Sequence, residues 1–442
     1  MTTYSNIDRG YMPIEIALKQ YEKANENGLP FAMSIEREDG TIFTIRTKVA
    51  AGSADDTVKY VERLSRAMLY VVGGCRLAYA GNEAVYRKMK EIFSPDGSRA
   101  FDADFMQKVF GSFEVVFRNM SDISDTVTKG TVCRQQDSGA RIGFDAGGSD
   151  RKVSAVLDGE VVYDEEVVWF PKLNSDPQYH FDGIMSALQN AAAKLPRVDS
   201  IGVSTAGIVV NNQLKISSLF IKVDEKDRRE RVENIYVDAA AKIGDCPITV
   251  ANDGDVTALS GAVSKGEGGV LGIAMGTSQA AGYVNIDNGL NGWFNELAFV
   301  PVDYNEDSMR DEWCGDYGCG VKYFSQDGVI KLADMLGIPT EGSPAERLKA
   351  VQAMVNAGDE RASMIFETIG VYLAHSIPFY CRFYDVRHLL LLGRVMSGRG
   401  GDILLDSAQK VLSKEYPDIK TDIFTPDEKM RRLGQSVTAA KL

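Results

Sequence analysis

ARIGFDAGGSDRKVSAVLDGEVVYDEEVVWF, residues 140–170, alternates apolar runs with two glycine turns. It reads as a strand ending near Asp145, a turn at Gly147-Gly148-Ser149, a strand from Lys152 to Leu157, an Asp158-Gly159 turn and a third strand. Downstream the period changes. A helix is expected over Phe181–Leu195, a strand in VDSIGVSTAGIV (198–209), and a helix over 228–244 with Val232, Ile235, Tyr236, Ala239 and Ile243 on one stripe. The strand CPITVAND (246–253), a helix over 255–264 and a second strand–turn–strand over 268–289 follow. The last third is mostly helical, interrupted by the strand HLLLLG (388–393). Antiparallel hairpins leading into alternating helices and strands imply an α/β fold with mixed sheets covered by helices.

The residues upstream have a different texture. Phe31–Val49 reads as a hairpin turning at Asp39-Gly40, and Val58, Val61, Leu64, Met68 and Val71 recur at helical spacing. A short apolar run (Arg76–Ala80), a helix over 82–93 and a loop in SPDGSRAFDAD (94–104) complete this stretch. At roughly 150 residues per domain the chain should hold about three units. They are an N-terminal α+β module (1–138), a first lobe (139–262) completed by a C-terminal helix (428–442), and a second lobe (263–427).

Sixty-two acidic residues against 49 basic ones give a net charge of −13, which opposes a broad nucleic-acid surface or an anionic membrane as partner. Six cysteines among 442 residues are too few and too scattered for a disulfide framework. The opening residues MTTYSNIDRG lack the apolar core of a signal peptide. The longest apolar candidate, Gly370–Gly393, is broken by His375, Arg382, Asp385, Arg387 and His388, so nothing reaches the ~20 residues that span a bilayer. A soluble cytoplasmic protein is expected.

Six segments could carry chemistry. In GFDAGGSD a strand delivers Asp145, while Gly147, Gly148 and Ser149 offer backbone N–H groups and a hydroxyl to phosphate oxygens. An Asp at that point suits a hydrated Mg²⁺ bridging phosphates. MGTSQAAG repeats the arrangement with Gly276, Thr277 and Ser278. Each alone could be an ordinary hairpin turn. In ITVANDGDVTAL, Asn252 and Asp253 stand where a strand ends, and a carboxylate there can take the proton of an attacking hydroxyl. The alternative is that Asp253 or Asp255 merely caps the helix. VSTAG brings Thr205 and Gly207 close to the same place, and Gly393 and Gly398 in LLLLGRVMSGRGG suit a flat nucleoside packed on backbone. Glu312, Cys314 and Cys319 in EWCGDYGC are candidate zinc ligands, short of the four that structural zinc takes. Two reduced cysteines in a glycine-rich loop are the alternative.

In this order the segments resemble the ROK family (repressors, open reading frames and sugar kinases) of the actin-like ATPase superfamily, from about Ala140 onward. DAGGS is similar to its first phosphate motif, MGTS to its second, VANDGDVTAL to its catalytic element, LLGRVMSGRG to its adenosine-side segment, and GWFNELAF with EWCGDYGC to its sugar and zinc motifs. The resemblance implies a two-lobed actin-like ATPase (ribonuclease H-like) fold that binds ATP and Mg²⁺ and phosphorylates a sugar hydroxyl. It makes Asp253 the catalytic base and Asn252 and Glu296 sugar contacts, and a homodimer is compatible with it.

Departures from that pattern are informative. The family's zinc- and sugar-contacting His falls on Phe299, the first zinc Cys on Glu312, and a sugar-contacting Glu on Val321. Two glycines of the second phosphate motif become Ser278 and Ala280, and the Thr of the first becomes Ser149. Each lost polar contact removes on the order of 1.5–3 kcal/mol of hydroxyl recognition. The leading expectation is therefore an ATP-dependent kinase of a sugar or sugar-like small molecule. The others are a catalytically inactive ligand-binding or regulatory protein, and an ATPase coupled to a partner protein.

Overall fold

The computed structural model describes residues 4–133, 138–427, 430 and 434–442. The chain forms two compact units. One comprises residues up to Lys129 with Ile273–Ala281 and Trp293–Phe424; the other comprises Gly130–Gly272, Gly282–Gly292 and Thr425–Leu442.

The second of these units is built on a five-stranded sheet in the order Ile248–Asn252, Ser200–Thr205, Ala140–Ala146, Asp150–Leu157, Glu160–Val168. The first three strands are parallel and the last two antiparallel, the mixed sheet that the hairpin-then-helix order implies. Ile142, Phe144, Ile201, Val203 and Val250 enter one core with Ile184 and Leu188 of the helix Pro177–Ala192 and Tyr236 of Ile235–Ile243. Pro177 occupies the first turn of its helix, and Asp176 caps it by accepting the Gln178 N–H at 2.9 Å.

The helix expected over 228–244 is interrupted: a π turn at Arg228–Val232 precedes Ile235–Ile243. The expected C-terminal helix 428–442 lies partly outside the described residues; its described part is Gln435–Ala439. Gly143 and Gly202 face this helix, and a Cβ on either would stand 1.8 Å from the carbonyl oxygen of Ser436 or Ala439. Glycine is required there by close backbone approach.

The first unit holds a four-stranded sheet in the order Ile42–Val49, Leu29–Glu36, Arg76–Ala80, Glu114–Phe117, with the hairpin turning at Asp39-Gly40 as expected. The N-terminal residues do not stand alone in it. Tyr304 N–H donates to the Met12 carbonyl at 2.8 Å, Tyr372 Oη donates to Asp8 Oδ2 at 2.8 Å, and Arg382 pairs with Glu15 and Glu22. The helix Asp55–Val71 buries Val61, Leu64, Met68 and Val71 of its apolar stripe and also Glu62, Arg63 and Arg66.

The loop expected over 94–104 is half helix: Ala100–Phe110 is helical and buries Asp102, Phe105, Met106 and Val109. Pro95 and Gly97 signal a turn, but the apolar spacing that follows decides the structure. Among the described residues no helix is long and apolar enough to cross a membrane.

Candidate active site

Parallel registration aligns the ends of three strands in the second unit. Asp145 pairs with Ser204, and Asn252 with Thr205, so Asp145, Thr205 and Asn252 fall at one end of the sheet. In open α/β sheets ligands are bound at this carboxyl end. Ser204 Oγ donates to Asp145 Oδ1 at 2.8 Å. Burial pushes the Asp145 carboxyl up to about 6, with Asp253 adding to the rise and the Ser204 hydrogen bond opposing it.

Asn252 caps the helix Asp253–Lys265 by accepting the Gly254 N–H at 2.7 Å, and its Nδ2 donates to the Gly207 carbonyl at 2.8 Å. The cap therefore belongs to Asn252. Asp255 is buried elsewhere and accepts the Tyr283 N–H at 3.0 Å. Asp253 lies in the first turn, where Oδ1 accepts the Gly254 N–H at 3.0 Å, and burial raises its carboxyl. Its backbone carbonyl accepts from Gln435 Nε2 at 2.7 Å and Thr257 Oγ1 at 2.8 Å. The base candidate is thus held rigidly through its backbone.

Thr205 is turned inward. It is fully buried and shares a 2.8 Å hydrogen bond with Tyr236 Oη, so its hydroxyl belongs to the core and does not reach the site. Gly207 instead presents backbone, its carbonyl engaged by Asn252.

The Gly147–Ser149 turn is fixed from behind by Trp169, whose Nε1 donates to the Gly147 carbonyl at 2.8 Å and whose N–H donates to the Ser149 carbonyl at 3.1 Å. Gly148 and Ser149 are exposed. Lys172 lies over this turn: a Cβ on Gly148 would be 3.5 Å from its Nζ. Motif spacing does not single out Lys172. A signal is nevertheless present, because an antiparallel meander returns the chain after its third strand past its first turn, as the pairing Asp150↔Val168 shows.

The first unit carries the remaining candidates. Gly276, Thr277 and Ser278 close a hairpin in which the Gly276 N–H donates to the Ser278 carbonyl at 2.9 Å, leaving Thr277 and Ser278 exposed. The strand His388–Leu392 ends behind this turn at Gly393, whose φ is +101° and whose Cβ would stand 2.4 Å from the Met275 carbonyl. Both facts demand glycine. Gly398 precedes the helix Arg399–Glu415.

Glu296 is held by backbone: the amides of Phe294, Asn295 and Glu296 donate to the carbonyls of Val72, Val71 and Tyr70 at 3.3, 3.1 and 2.9 Å. Those carbonyls are at the C-terminal end of the helix Asp55–Val71, and that of Val72 also accepts from Arg37 Nη2.

The candidate zinc ligands do not assemble. Cys314 and Cys319 are adjacent, Sγ to Sγ 3.6 Å, but the Glu312 side chain is 75 % exposed and paired with Lys322. Phe299, where the resembled motif has His, packs among Tyr70, Phe105 and Trp313. Among the described residues no group of three or more His, Cys, Asp or Glu is placed to hold a metal.

A family model described as the ROK family matches residues 141–426, more than half of the chain. A ROK hexokinase from Thermus thermophilus superposes with a TM-score of 0.54 at 16 % identity, over 69 % of this chain and 97 % of that one. A ROK-family transcriptional regulator, a homologue of the E. coli MLC protein, superposes with a TM-score of 0.51 at 19 % identity, over 68 % of this chain and 77 % of that one. At such identities the likeness is one of fold. No curated protein sequence matches.

Proposed function

The chain belongs to the ROK family, and from this we propose that it transfers a phosphoryl group from ATP to a hydroxyl of a sugar or sugar-like small molecule, with Asp253 as general base. One observation carries the reading: Asp253, held through its backbone carbonyl and with its carboxyl raised by burial, directly follows Asn252 at the same carboxyl end of the sheet as Asp145. A raised carboxyl is a stronger base than an exposed one and is suited to accept the acceptor's proton as the oxygen attacks phosphorus.

Asp145 fits the role of a Mg²⁺ holder, being a carboxylate beside a turn whose Gly148 and Ser149 are exposed. When bound, Mg²⁺·ATP supplies the phosphoryl group and neutralises charge on it. The chain's own part is to position and to move one proton. Asn252 has one amide hydrogen on Gly207 and a second for an acceptor hydroxyl. The resemblance gives the Gly276–Ser278 turn, with Gly393 behind it, and Gly398 to the phosphates and nucleoside of ATP, and Glu296 to an acceptor hydroxyl. Phe299 and Val321, both buried and apolar, stand where the resembled motifs have polar acceptor contacts. We read this as selection for an acceptor poorer in hydroxyls than glucose, or one carrying a substituent.

Acceptor-dependent ADP release across a panel of sugars, amino sugars and polyols tests the proposal. Release with at least one acceptor supports it; tight Mg²⁺·ATP binding without any turnover favours the second reading, a ligand-binding or regulatory protein. Phe299 and Val321 are the observations in favour of that second reading, since both replace polar sugar contacts of the resembled motifs.

Three further outcomes follow. Asp145 must be ionised to hold the metal, so kcat/KM should fall about tenfold per pH unit below about 6. Ser204→Ala removes a hydrogen bond that favours the ionised form, and the acid limb should move to higher pH. Lys172→Ala should raise KM for Mg²⁺·ATP several-fold with a smaller change in kcat, as expected for loss of one charge contact to a phosphate. An unchanged KM places Lys172 outside the site.

A further inference from the structure

Arg66 is fully buried in the helix Asp55–Val71, and five groups surround its guanidinium. Nε donates to Asp102 Oδ2 at 3.3 Å, and Nη1 lies 3.0 Å from Asp316 Oδ2. Nη1 also donates to the Phe299 carbonyl and lies 3.6 Å from Cys319 Sγ, while Nη2 lies 3.2 Å from Cys314 Sγ. The two sulfurs therefore share one edge of a planar cation. A zinc ion needs about four ligands near 2.3 Å for sulfur. Here the two sulfurs face a guanidinium, the third candidate is turned away toward Lys322, and the fourth position is Phe299. The residues present do not fit zinc.

We propose that the Arg66 guanidinium is the structural cation of the Cys314–Cys319 loop, supplied by the helix Asp55–Val71 in place of a metal ion. The Phe299 carbonyl that Arg66 holds is three residues beyond Glu296, whose own amide is bonded to Tyr70 of the same helix. One helix thus provides both the cation and the carbonyl end that fix this segment. This gives the N-terminal residues a defined role, in which a covalently attached charge replaces a bound metal. Arg66 is a positioning residue, and only its effect on acceptor binding rests on the kinase reading above.

The test uses the full chain, purified without added metal. Metal analysis should find far less than one zinc per chain, and a zinc chelator should leave the thermal midpoint unchanged. One zinc per chain, or a midpoint lowered by the chelator, overturns the proposal whether or not any variant folds. Arg66→Ala should lower the midpoint, and an unchanged midpoint also overturns it. Arg66→Lys keeps one charge but cannot reach both sulfurs and the Phe299 carbonyl. It should raise KM for the acceptor several-fold while KM for Mg²⁺·ATP stays constant; both constants unchanged contradict the positioning role. If wild type shows no turnover with any acceptor, the kinase reading fails while the metal and chelator results still decide the present proposal.

Discussion

Asp253→Asn lowers kcat about 10²–10⁴-fold, the range for loss of a general base, while the protein folds at least as stably as wild type. The amide keeps the shape of the carboxyl and one oxygen for the Gly254 N–H, and the cap on Asn252 is untouched. The sign of the stability change follows from burial. An acid whose folded-state pKa lies above its unfolded value is destabilising in its ionised form, a cost that develops as pH rises from the unfolded value through the folded one. At neutral pH wild type bears that cost and the neutral variant does not. Activity and thermal midpoint should therefore move apart, which separates loss of chemistry from loss of fold. Turnover within a few-fold of wild type contradicts the assignment of the base.

Asp316→Ala has the largest expected effect on stability, about 3–5 kcal/mol, the range for removing one partner of a buried ion pair. Asp316 is 2 % exposed and receives three guanidinium groups: Arg63 Nη1 at 3.0 Å, Arg66 Nη1 at 3.0 Å and Arg99 Nη2 at 2.8 Å. Its loss leaves three buried or nearly buried cations with the carboxylates of Glu62 and Asp102 as their remaining ion-pair partners among the described residues. The pair Lys59–Glu306, 2.7 Å apart with the Glu306 side chain 64 % exposed, provides the control: Glu306→Gln should change stability by less than about 1 kcal/mol. Equal effects of the two substitutions in chemical denaturation would contradict the network account.

The strands and turns that position Asp145 and Asp253 were legible because their signals are local: an apolar run, then glycine or Asn-Asp, then a change of period. Thr205 shows where local reading stopped short. Ile201, Val203 and Thr205 alternate onto one face of their strand, so parity alone sends Thr205 into the core and Ser204 to Asp145. Helix Ala100–Phe110 was hidden by the turn signals of Pro95 and Gly97 just before it. The role of Arg66 was not legible at all. Its partners Phe299, Cys314 and Cys319 lie more than 230 residues away, as the separations of 233, 248 and 253 show, and an arginine on a helix face gives no sign of burial before its partners are known. The same holds for the N-terminal residues, whose attachment to 293–424 includes long-range ion pairs and backbone hydrogen bonds.

The most direct test of the account is transfer of the labelled γ-phosphoryl group of ATP to a small-molecule acceptor, followed by isolation of the product. Label should appear on an acceptor hydroxyl with wild type and Mg²⁺, and fall to near background with Asp253→Asn at unchanged nucleotide affinity. Label that remains on ATP or passes only to water with every acceptor would contradict a kinase reading of Asp145 and Asp253.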